Sequence, residues 1–121
     1  MRTFDILLTL IAEISDIGSF PNDHEKIHRT FYELSKNPHF KKYFSEVLFS
    51  NELGYLFSDE IDSVINIFHL SGILGRPNPT YRENSINITL DDVKNDPITK
   101  SIYDEKYFRK FAANFKRMIQ S

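Results

Sequence analysis

Five stretches of the chain repeat bulky apolar residues three and four positions apart, a spacing that commits most of it to helices burying one face each. From Thr3 to about Ile17 the stripe is Phe4, Leu7, Leu8, Ile11 and Ile14, and Gly18 supplies a stop. A shorter and more polar stretch begins at Asn22, after Pro21, and carries Ile27, Phe31 and Leu34 to about Ser35. "NPHFKKYFSEVL" offers Asn37 as a cap and Pro38 in a first turn, then Phe40, Tyr43, Phe44 and Val47, which predicts a third helix. Ser58 can cap a fourth through about Ser71, with Ile61, Val64, Ile65 and Phe68 inward and Gly72 as its end. Asp96 and Pro97 open a last helical region, continuing through "YFRKFAANFKRMI" with Phe108, Phe111, Phe115 and Met118 on one side.

Two segments break this rhythm. "GYLFS" before Ser58 is short and aromatic and predicts a brief strand. In "SINITL" Ile86, Ile88 and Leu90 alternate strictly, so together with "ILG" it forms a hairpin whose one face is buried. Its long tip, "RPNPTYREN", contains two prolines and two asparagines and admits no regular structure. The expected class is therefore α+β, mostly α. With 121 residues, no repeat and no linker-like tract, residues 1–121 are expected to form one domain.

Composition narrows the function classes. Eleven Phe supply enough apolar surface to close a core, and the absence of cysteine excludes disulfides and thiolate metal sites. No cystine framework argues for secretion, so a cytoplasmic location is the expectation. "FDILLTLIAEI" is interrupted by Asp5 and Glu13 and is far short of the roughly 20 apolar residues needed to span a bilayer, so no membrane association is expected. A formal charge of −2 gives the whole protein no pull toward nucleic acid or anionic lipid.

The aromatic-serine step "LFS" before a helix, the exit "HLSGIL" and the return strand "INIT" after a proline-rich tip together resemble a winged-helix domain. The resemblance covers roughly residues 20 to 90, with extra N- and C-terminal helices outside it. More loosely, the chain is similar to small winged-helix components of bacterial multi-gene systems: middle subunits of three-component ATPase defence operons and Panacea-type antitoxin domains. That likeness implies a non-enzymatic subunit or adaptor that binds a protein partner, or else a DNA-binding regulator.

One phrase points elsewhere. "HEKIH", His24 to His28, is H-E-x-x-H, in which two histidines one helical turn apart hold Zn²⁺ and the glutamate acts as base. A zinc hydrolase is thus a distant alternative. Lys26 stands inside the motif, and a third ligand has no recognisable spacing, whether His39, His69, Glu46 or Glu52. Glu25 follows Asn22 by three, where it can reach back to a cap, and Asp23 suits a positive helix start, so the acids have work without metal. Asp91, Asp92 and Asp96 cluster in "LDDVKNDP" without the glycine and distal glutamate of a calcium loop. No phosphate loop or nucleophile elbow occurs. No catalytic residue, metal or cofactor is therefore assigned.

In a winged-helix reading the segment from Ser58 to Gly75 decides the partner. It holds no Lys or Arg, whereas a helix reading DNA needs cations or amides toward bases and phosphates. Its solvent face offers Asp59, Asp62, Ser63 and Asn66, with Glu60 in the same first turn. Arg76 and Arg82 lie on the hairpin tip, as wing residues would. Asp59, Glu60, Asp62, Asn66, Arg76 and Arg82 are accordingly the candidate partner-binding residues. The rival DNA reading, as a homodimer, would use the two arginines with Lys106, Arg109, Lys110, Lys116 and Arg117, whose simpler role is the wet side of an amphipathic helix.

Overall fold

The computed structural model describes residues 1–77 and 79–121. Asn78, in the proline-rich tip, lies outside them. The chain is α+β and mostly helical. Helix α1 (Thr3–Glu13) is followed by a tight 3₁₀ turn (Ser15–Ile17), strand β1 (Ser19–Pro21) and helix α2 (His24–Ser35). A second 3₁₀ turn (Lys41–Phe44) leads to helix α3 (Asp59–Ser71) and the strands β2 (Leu74–Gly75) and β3 (Glu83–Ile86). Helices α4 (Leu90–Val93), α5 (Pro97–Tyr103) and α6 (Phe108–Gln120) complete it. The strands form one antiparallel sheet in the order β1-β3-β2, with Phe20 opposite Asn84 and Leu74 opposite Ile86.

Most residues of the expected stripes go inward, but Phe4, Leu8 and Met118 are only partly buried, and on α6 it is Ile119 that is fully enclosed. Phe31 of α2 packs on Phe115 of α6 at 4.8 Å between ring centres, and Phe111 of α6 meets Tyr43 at 4.9 Å and Phe40 at 5.4 Å. Aromatic area of this kind dominates the burial energy of a small core. Helix α1 contacts α3, α4 and α5, so it buries more than one stripe: Ile6 and Leu10 are buried beside Leu7, Ile11 and Ile14.

Several expectations need correction. The first helix ends at Glu13 and the chain tightens into 3₁₀ geometry before Gly18, whose φ of 77° lets it turn into β1. Strand β1, which no alternation announces, lies beside β3 and inserts only Phe20 into the core. The cap of α2 is Asp23, not Asn22: its carboxylate accepts the Lys26 N–H, while Asn22 donates its side-chain amide to the Tyr81 carbonyl. Residues 37–48 form no α-helix. Phe40, Tyr43 and Val47 each donate to a carbonyl three residues back, and the Asn37 side chain accepts the His39 N–H locally instead of capping. "GYLFS" forms no strand beyond a single bridge between Ser50 and Phe57. Strand β3 begins at Glu83, inside the tip expected to be irregular, where Glu83 and Asn84 pair with β1, and it ends at Ile86, so Ile88 lies beyond it and Leu90 begins α4. The last helical region is two helices, α5 and α6, broken at residues 104–107, where the Glu105 side chain binds across to Tyr43.

Candidate functional site at the crossing of α2 and α3

Helix α2 starts where Asp23 caps it, which places His24 in its first turn and His28 one turn further on the same face. Their rings lie 4.2 Å apart between centres and are tilted by 35°. Helix α3 starts at Ser58, whose hydroxyl oxygen accepts the Ile61 N–H at 3.3 Å. One turn into α3, Asp62 points back at both histidines. Its Oδ1 is 3.0 Å from His24 Nε2 and 3.5 Å from His28 Nε2.

The hydrogen-bond chain fixes the tautomers. Ser58 N–H donates to His28 Nδ1 at 3.0 Å, so that nitrogen is an acceptor and the neutral ring carries its proton on Nε2. Nε2 faces Asp62 at a distance too long for a good hydrogen bond and has no closer partner among the described residues. His24 donates from Nε2 to the Asp62 carboxylate and accepts at Nδ1 from the Tyr55 hydroxyl at 2.6 Å. Phe57 sets its ring edge against His28 at 6.1 Å. His28 is buried, with 1% of its side chain exposed, whereas His24 is 42% exposed. Burial, then the neighbouring His24, pushes the proton affinity of His28 below the ordinary histidine value, against the pull of Asp62 and Asp59.

Three potential donors to a metal therefore converge, since His24, His28 and Asp62 each offer an atom within 4.8 Å of the others. The third was not legible from spacing, because Asp62 reaches the histidines only through the helix crossing. The chemistry of the donor set opposes zinc. A zinc-bound histidine coordinates through one nitrogen and donates a hydrogen bond from the other. Here the other nitrogen of His28 accepts a backbone N–H, so its Nε2 holds a proton and offers the metal no lone pair. Glu25 is exposed. The other ligands weighed from sequence lie elsewhere: His39 stacks on Tyr107, His69 accepts from Arg76, and Glu46 accepts the Thr3 N–H.

A cleft of about 210 Å³ opens beside the cluster, lined by Asn22, His24, His28, Asp62, Asn66 and Arg76, with Ile27 and Ile65 as apolar walls. Among the candidate partner-binding residues, the fold thus brings together Asp62, Asn66 and Arg76. Asp59 is exposed in the first turn of α3, and Arg82 is exposed immediately before β3, its carbonyl accepting the Asn22 N–H. Glu60 is not a free surface charge: its carboxylate accepts the Leu48 N–H at 2.7 Å and lies 3.2 Å from the Ser58 hydroxyl.

Sequence reasoning passed over two residues of α3. Ile67 is 47% exposed and Leu70 is 89% exposed, on the side away from the buried stripe. The signal was present, because neither belongs to the Ile61, Val64, Ile65 and Phe68 pattern. On α6 the basic face is partly engaged: Lys116 pairs with Asp16 at 2.6 Å, and Arg109 lies over the Tyr103 ring at 4.5 Å. No family model, curated protein or solved structure matches the chain.

Proposed function

We propose that this protein is a non-enzymatic interaction subunit on a winged-helix-like scaffold, which docks a protein partner through the outward face of α3. The observation that carries this reading is the make-up of that face: Asp59, Ser63, Asn66, Ile67 and Leu70 are exposed along it, and no cation is among them. An exposed leucine beside a carboxylate suits a protein interface, whose centre is apolar and whose rim is polar. The same face suits DNA poorly, since carboxylates repel phosphates and nothing on it neutralises them. Within residues 20–90 the scaffold reading draws support from α2 and α3 followed by the β2–β3 hairpin, with β1 extending the sheet, although the expected helix at residues 37–48 is replaced by 3₁₀ turns. On the loose likeness to middle subunits of three-component ATPase systems, the proposed partner is a neighbouring subunit of such a system.

Co-purification from the native host tests this directly. Leu70→Asp, at a solvent-exposed position, should leave the fold intact and remove the partner; full retention of the partner by the folded variant would refute the reading. The DNA alternative rests on Arg76 and Arg82, both exposed on the hairpin. In that case binding to duplex DNA should be strongly salt-dependent and abolished by Arg76→Ala with Arg82→Ala.

A further inference from the structure

Buried His28 joins α2 to the residue that starts α3, and it does so as an acceptor. The Ser58 N–H has its partner in His28 Nδ1, and Ser58 is itself fully buried, so the bond is not exchanged freely with water. A proton added to Nδ1 would set a donor against a donor. We infer that His28 is an acid-sensitive latch between α2 and the first turn of α3: neutral, it holds Ser58 and the helix start in place; protonated, it releases them.

The groups around the ring set where the latch responds. From α2, His24 stacks on it; from α3, Asp62 and Asp59 face it; from the segment before α3, Tyr55 acts through His24; and from the hairpin, Arg76 stands in the same cleft. The two aspartates favour the imidazolium, while burial, first, and His24, second, oppose it and prevail, leaving the folded-state affinity below the ordinary value of 6.5. Because that affinity is depressed on folding, the stabilising contribution is complete above the ordinary value and is lost as pH falls below it. Release frees the turn that bears Asp59 and Asp62. This inference stands on the chain's own hydrogen bonds and holds whether or not α3 docks a protein.

Nitrogen-15 NMR of the wild-type protein tests it. At about pH 7.5, well above the ordinary histidine value, His28 should show a protonated Nε2 and a bare Nδ1. On acidification its ring should titrate with a midpoint below 6.5, and the Ser58 amide signal should shift or broaden in step. His24→Gln should raise that midpoint, since the neighbouring ring disfavours the imidazolium. His28→Asn keeps an acceptor for Ser58 that does not titrate, so its melting temperature should fall less than that of wild type between about pH 7.5 and about pH 5.5, which bracket that value. Should that variant fail to fold, the wild-type titration decides. A proton on Nδ1 at neutral pH, a midpoint at or above 6.5, a Ser58 amide indifferent to the titration, or an equal acid-induced fall in His28→Asn would each overturn the latch.

Discussion

At Glu105 one carboxylate gathers the Lys42 ammonium at 2.7 Å, the Tyr43 hydroxyl and the Tyr107 N–H at 3.1 Å. Burial raises its pKa, but these donors win and hold it at about 2, while burial first and then the same contact drive Tyr43 up. Since the carboxyl is depressed on folding, its contribution is full above the ordinary value of 4.5 and is lost as pH falls from there toward about 2. Lys42 is 43% exposed, so its share is screened, and the Tyr43 bond carries more. Glu105→Gln should therefore destabilise by about 1–3 kcal/mol at neutral pH, the cost of weakening charged hydrogen bonds, and should flatten the acid limb of the stability curve. Chemical denaturation at pH values on both sides of 4.5 would measure it. By contrast, Glu25→Gln should cost almost nothing in melting temperature, because Glu25 is exposed and Asp23 performs the capping.

At the scale of elements, caps and aromatic anchors separate cleanly. Asp23→Ala removes the acceptor for the Lys26 N–H at the start of α2 and should cost about 0.5–2 kcal/mol. Phe111→Ala empties a fully buried site bounded by Phe40, Tyr43 and Phe108 and should cost about 3–5 kcal/mol, read from the same denaturation curves. Helix α3 was legible at both ends, because Ser58, the apolar spacing and Gly72 agree, whereas α1 and α6, which no side chain caps, were legible from their stripes alone. In residues 37–48 the spacing misleads, because Phe40, Tyr43 and Val47 also fit successive 3₁₀ turns, whose period is close to three. Strand β1 was hidden because three residues with one inward ring carry no alternation. The candidate site was half legible. His24 and His28 share a face by spacing alone, but Asp62, 38 residues after His24, joins them only when α2 and α3 cross.

For the whole molecule, α1, α2, α3 and α6 all supply the core, and the basic side of α6 spends part of its charge on Asp16 and Tyr103. Helix α3 buries Ile61, Val64 and Phe68 and leaves Asp59, Ile67 and Leu70 outside. Among the described residues no helix is long and apolar enough to cross a membrane. Asp62 belongs to the histidine cluster, so Asp59 and Leu70 are the cleaner probes of the outward face. The most direct measurement is the association rate of the co-purified native partner with wild-type protein and with the Asp59→Lys, Leu70→Asp double variant, at two salt concentrations, after melting curves show both to be folded. The account predicts at least about tenfold slower association for the variant, together with a weaker or reversed salt dependence, since interface charges act chiefly on encounter rates. A folded double variant that associates as fast as wild type at both salt concentrations would contradict it.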